Sequence, residues 1–184
     1  MPDAVGLELI AKEINAAHGE AVTDTRQAFD SATLIISPEK NLEVLSWLRD
    51  TPGQEYTFCS SVHGSDYLPA EPRFAVHYEL LNRDRVERVQ VKAMLADPSA
   101  GEVDQWDEGP LPSLRSCVEL FPTAEFQERE IYDFFGIEFE GHPDLRRITM
   151  PEDYVGWPQR RDFPIGGEPV IFTNTEREIP RWFE

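Results

Sequence analysis

Phe74–Leu95 reads FAVHYELLNRDRVERVQVKAML. Phe74, Val76, Tyr78 and Leu80 alternate with Ala75, His77 and Glu79. After Asn82-Arg83-Asp84, the apolar residues Val89, Val91, Ala93 and Leu95 alternate again. A period of two on both sides of a polar turn predicts an antiparallel hairpin with one buried face. Upstream, Tyr56 to Val62 reads as a further strand running into His63-Gly64-Ser65-Asp66.

Working outward, Leu7, Ile10, Ile14 and Ala17 share one helical face that stops at Gly19. Two short strand-like runs follow, Ala21–Phe29 and Ala32–Ser37, split at Asp30-Ser31. Pro38 stands where a second helix begins, and Leu42, Val44, Leu45, Trp47 and Leu48 give it an apolar side ending before Pro52-Gly53. Residues 97–112 are acidic and rich in Gly and Pro, which predicts a loop. Leu114–Leu120 reads as a short helix. A last helix is expected from about Pro122, with Thr123 as N-cap, Ile131, Phe134 and Phe135 on its apolar face and Gly136 as its stop. Together these predict an α/β (α+β) domain over residues 1–140: a mixed, largely antiparallel sheet with flanking helices. Residues 141–184 have no regular period and read as an extended C-terminal arm.

The 184 residues suffice for one domain with a core of its own. At 40% the hydrophobic share is modest, but 11% aromatic residues supply the missing burial. The net charge of −18 argues against nucleic acid, whose phosphates demand a basic stripe. It also opposes direct adsorption to an anionic bilayer. No apolar run is long enough to span a membrane. Cys59 and Cys117 lie far apart outside any C-x-x-C spacing, so an iron–sulfur cluster held by this chain's thiolates is not expected.

Sites of chemistry are few. Glu128, Glu130 and Asp133 crowd one helix, but beside Arg129 they read better as a charged face than as an acid–base pair. His142, Asp144, His63 and His77 lack the tight grouping of a zinc site, and His142 before Pro143 reads as a turn. There is no Gly-x-Gly-x-x-Gly, phosphate-binding lysine loop or Gly-x-Ser-x-Gly elbow. The arm is more telling. Between Gly141 and Pro164 four acids (Asp144, Glu152, Asp153, Asp162) balance four arginines (Arg146, Arg147, Arg160, Arg161). Arginine forks onto carboxylates and carbonyls and stacks on rings, and Tyr154, Trp157 and Phe163 are typical anchors. Four prolines stiffen the segment and lower the entropy lost on docking. Such an arm is expected to lie on another protein, with folding back onto its own domain as the alternative.

The ordered residues Glu128-Arg129-Glu130, Asp133, Gly136, Phe139, His142-Pro143-Asp144-Leu145-Arg146-Arg147-Ile148, Pro151, Asp153, Gly156, Pro158, Arg160 and Asp162-Phe163-Pro164 resemble a known signature. It is that of the thirty-kilodalton subunit of NADH–quinone oxidoreductase, respiratory complex I. Thr149, Tyr154 and Arg161 are mild departures from it. The resemblance implies a peripheral-arm subunit without a cofactor or active site of its own. Iron–sulfur clusters, FMN, NADH and quinone would belong to partner subunits. The arm would wrap the large hydrogenase-like quinone-site subunit, close to the terminal iron–sulfur subunit. Membrane association would run through those partners, at the cytoplasmic face of the cell membrane. Arg146, Arg147, Trp157, Arg160, Arg161, Asp162 and Phe163 are then the expected docking residues. Glu128, Arg129, Glu130, Asp133, His142 and Asp144 are the groups expected to orient the arm. The alternatives are the equivalent subunit of a membrane-bound hydrogenase-type complex, and a free-standing acidic enzyme using Glu128 and Glu130.

Overall fold

A computed structural model describes residues 2–29, 31–99 and 109–163. The expected arm beyond 163 and the middle of the 97–112 loop lie outside the described residues. Helix α1 (Ala4–His18) buries Leu7, Ile10, Ala11 and Ile14. The Asp3 carboxylate accepts from Gly6 N at 2.7 Å and caps its start. Strands β1 (Val22–Ala28) and β2 (Ser31–Ile36) form an antiparallel pair. A single 3₁₀ turn at Pro38–Lys40 leads into α2 (Asn41–Asp50), which buries Val44, Leu45 and Leu48. Strands β3 (Phe58–Asp66), β4 (Phe74–Asn82) and β5 (Glu87–Leu95) complete a five-stranded sheet of order β1-β2-β5-β4-β3. Within it only β2 and β5 pair in parallel, so the sheet is mixed and largely antiparallel as the sequence predicts.

The β4–β5 hairpin runs in unbroken register from Phe74↔Leu95 to Asn82↔Glu87. Phe74, Val76, Tyr78, Leu80, Val89, Val91 and Ala93 are buried with the apolar sides of the helices in one continuous core. The opposite face is less open than alternation alone implies. His77 is buried, because Tyr67 lies over it with its hydroxyl 3.4 Å from Nε2 and the His63 ring stacks at 4.8 Å. Burial, with the His63 and Lys92 charges nearby, lowers the His77 pKa to about 4.

Two local expectations change. Leu114–Leu120 is not a helix: Ser113–Arg115 is a short strand, β6, followed by a turn. It pairs in parallel with β7 (Glu138–Glu140), and that partner lies too far along the chain for local periodicity to reveal it. Thr123 is not the N-cap either. It sits in a 3₁₀ turn, Pro122–Ala124, and donates its hydroxyl to the Cys59 carbonyl at 2.9 Å, while helix α3 begins at Glu125 and ends at Phe135. Gly136 stops α3 in the left-handed conformation, as predicted.

Candidate docking site

Helix α3 crosses β3 at Gly64, where a Cβ would stand 2.8 Å from the Phe135 ring. This close approach fixes which side of α3 meets the sheet and which is left for other contacts. Glu128 turns inward. It is fully buried and accepts from Ser116 Oγ at 2.6 Å and Cys117 N at 2.8 Å. Burial raises its pKa despite these bonds. It therefore pins the turn after β6. Glu130 is exposed and carries no ion pair among the described residues. One of these carboxylates is sunk in the core and the other stands in solvent, so they do not face a common substrate pocket.

The arm-facing side of α3 is built on Arg129 and Asp133. Arg129 is buried, donates Nε to the Arg146 carbonyl at 3.2 Å and lies 3.6 Å from Asp144. Asp133 is fully buried. One oxygen accepts from Arg147 Nη1 at 3.0 Å, and the other from the backbone amides of Ile148, Thr149 and Met150 at 3.1, 2.7 and 3.0 Å. Burial alone would raise its pKa, but the three amides and the guanidinium hold it below the usual carboxylate range. His142 bridges the same two elements. Its Nδ1 accepts from Asp144 N at 3.0 Å, which leaves Nε2 to donate to the Glu125 carbonyl at 3.0 Å.

Residues 141–163 thus fold back along their own domain. The Arg147 guanidinium reaches the Asp133 and Gly156 carbonyls, each at 2.9 Å, and stacks 4.4 Å over Trp157. Trp157 is 6% exposed and lies flat against Gly136, where a Cβ would come within 2.4 Å of the indole. Tyr132 meets it edge-on at 5.3 Å. Arg160 stands over the indole at 5.9 Å and over Phe74 at 5.0 Å, and donates Nε to the Phe135 carbonyl at 2.8 Å. Burial beside Arg73 lowers its pKa. Arg161 is exposed, with its backbone amide on Asp66 at 2.8 Å. Phe163 stacks on Tyr154 at 6.3 Å.

The arm is fastened again at Arg73, which sequence reasoning missed. This buried guanidinium pairs with Asp66 at 2.9 Å, Asp97 at 2.8 Å and Asp162 at 2.6 Å. Burial opposes its charge, but the three carboxylates raise its pKa, and Asp66 and Asp97 are lowered in turn. The four residues are scattered along the chain, so no motif announces them. Outward stand Arg146, with 62% of its side chain exposed, Arg161, Ile148 at 41% and Val155 at 58%, together with Thr149, Pro151, Glu152, Asp153 and Gln159. Of the expected docking residues, Arg147, Trp157, Arg160, Asp162 and Phe163 are engaged within the fold.

The model of the family described as respiratory-chain NADH dehydrogenase, 30 Kd subunit, matches residues 34–169. The chain belongs to that family. Among similar members of this 30 Kd family is an NADH-quinone oxidoreductase subunit of Roseiflexus castenholzii, 36% identical over 92% of this chain and 91% of its own length. The same subunit of Herpetosiphon aurantiacus is 46% identical over 71% of this chain and 69% of its own length. That of Salinispora tropica is 39% identical over 92% of this chain, which spans 64% of the relative's length. Among the described residues no helix is long and apolar enough to cross a membrane, and no three His, Cys, Asp or Glu side chains group as metal ligands. Cys59 and Cys117 are buried, and burial pushes the Cys59 thiol up to about 12 and Cys117 further in the same direction. Both are therefore protonated near neutral pH.

Proposed function

We propose that this chain is a non-catalytic, peripheral subunit of an NADH–quinone oxidoreductase, and that it supports the quinone-reducing part of that assembly. Iron–sulfur clusters, FMN, NADH and quinone are held by its partners in this reading. The terminal arm docks on the large quinone-site subunit beside the terminal iron–sulfur subunit, on the cytoplasmic side of the membrane. The observation that carries the proposal is the arm itself. Arg147, Trp157 and Arg160 fix it to α3, while Arg146, Ile148, Val155 and Arg161 stand outward among the exposed acids Glu152 and Asp153, a mixed strip of charged and apolar side chains. Exposed arginines with apolar neighbours suit recognition of carboxylates on a protein surface.

The test is Arg146→Glu with Arg161→Glu in the intact assembly. Arg147 is unsuitable, because its loss would unseat the arm from Asp133. The double variant is expected to melt as the parent does when isolated, yet to be depleted from the assembled complex recovered in mild detergent. Parental recovery would refute the docking role. Recovery of the parent chain only as a partner-free monomer would refute the subunit reading as a whole.

A further inference from the structure

The end of the domain remote from the arm carries a second surface. An open groove of about 580 Å³ lies between the start of α1, the 53–56 turn and the β4–β5 hairpin. Leu9 and Tyr56 line it, together with three carboxylates, Asp3, Glu13 and Glu87, and one guanidinium, Arg85. That guanidinium is already engaged, with Nε on Glu87 at 2.7 Å and its other nitrogens on the Gly53 and Gln54 carbonyls at 2.6 and 2.8 Å. The groove therefore has an excess of negative charge.

Leu9, 53% exposed, lines it, and two further exposed apolar residues adjoin lining residues in the sequence: Val5 at 66%, next to Gly6, and Val86 at 79%, between Arg85 and Glu87. Val5 and Leu9 lie one turn apart on the same side of α1. Val86 is the more telling. Its φ is +53°, a left-handed conformation that costs a β-branched residue and suits Gly or Asn. A side chain so exposed gains little packing within the chain to offset that cost. Strain combined with an exposed apolar group points to a contact made outside the molecule.

We propose that this groove docks a segment of a neighbouring polypeptide in the same assembly, one with a lysine or arginine set between apolar side chains. The apolar groups would cover Val5, Leu9 and Val86, and the cation would sit among Asp3, Glu13 and Glu87. Charge complementarity selects this occupant. A second copy of this chain would bring a further −18 charge against the same carboxylates. The nine residues of β4 span roughly 27 Å at ~3.4 Å each and separate the Arg73 cluster from the hairpin. The groove is thus a second contact surface, separate from the arm. The inference rests on the proposal that the chain works inside a multisubunit complex.

The test compares hydrogen exchange in the full isolated chain with that in the intact complex, and places the photocrosslinker p-benzoylphenylalanine at Leu9. Amides of residues 6–13 and 83–86 should exchange roughly tenfold or more slowly in the complex. The Leu9 crosslink should fall on one partner segment that contains a lysine or arginine among apolar residues. Glu13→Lys, an exposed change, should cut its yield several-fold. Equal exchange in both states, a crosslink to a second copy, or one to a segment without a cation would overturn the inference and leave the arm's role standing. Failure to recover the chain with any assembly would overturn both.

Discussion

Asp133→Asn is the sharpest probe of how the arm is held. The substitution keeps the shape and removes the charge from a fully buried carboxylate that accepts three backbone amides and one guanidinium. An asparagine must turn its amide nitrogen either toward those amides or toward Arg147, so one donor faces another in both orientations. A hydrogen bond to a charged group contributes about 1.5–3 kcal/mol, and breaking a buried ion pair costs about 3–5 kcal/mol. Arg147 keeps its bonds to two carbonyls and its contact with Trp157, which places the loss at the lower end, about 3 kcal/mol. The arm can leave α3 without unfolding the sheet, so the loss appears first as local opening. Exchange of the Ile148, Thr149 and Met150 amides should accelerate roughly a hundredfold, at about 1.4 kcal/mol per tenfold. The pH dependence has a definite sign. The folded pKa lies below the unfolded value of about 3.9, so the carboxylate's contribution is full above that value and fades as pH falls through the folded one. Parent and variant should therefore converge in acid. Parental exchange rates at these three amides near neutral pH would refute the assignment.

Gly136→Ala adds a Cβ where the indole of Trp157 lies and at a φ of +67°, so a loss of about 2–4 kcal/mol and a red-shifted tryptophan emission are expected from denaturation and fluorescence. Arg73→Met leaves the buried carboxylates of Asp66 and Asp97 without their cation and should cost about 3–5 kcal/mol near neutral pH. Both carboxylates have lowered pKa values, so that difference should shrink below about pH 4 as they protonate, which urea titrations across pH would show. Val86→Asn relieves a strained residue without removing a buried contact and should raise the stability of the isolated chain by about 1 kcal/mol, read as a higher melting temperature.

The features legible in the sequence are those whose causes are local. The β4–β5 register follows from strict alternation about Asn82-Arg83-Asp84, the α1 face from the spacing of Leu7, Ile10 and Ile14, and the end of α3 from Gly136. Where the cause is a distant partner, local patterns mislead. Ser113–Arg115 is a strand only because Glu138–Glu140 lies beside it. Thr123 looks like a cap, but the Cys59 carbonyl claims its hydroxyl. The Arg73 cluster joins the end of β3, the residue before β4, the segment after β5 and the arm, and it has no spacing to detect. The arm shows both limits. Its composition marks it as a segment that must lie on a surface. That α3 provides one depends on Asp133 facing the amides of 148–150, which becomes visible only once α3 is docked on Gly64.

The two arginine pairs of the arm divide their work. In Arg146-Arg147 the second side chain is 9% exposed and bound to Asp133, while the first is 62% exposed and pairs with Asp144. In Arg160-Arg161 the first is stacked between Phe74 and Trp157, and the second is exposed. One member of each pair thus fastens the arm while the other is presented. Fastening has a consequence for binding. A backbone already fixed by Asp133, Trp157 and Arg73 loses little further entropy when a partner arrives, whereas a free arm would lose about 1–2 kcal/mol per residue ordered. The inward arginines therefore favour docking by holding the arm in place. Replacing one should slow association and loosen the arm together, whereas replacing an outward arginine should weaken the complex with the arm still closed. The ratio of arm opening to complex loss separates the two classes of residue, although they adjoin in sequence.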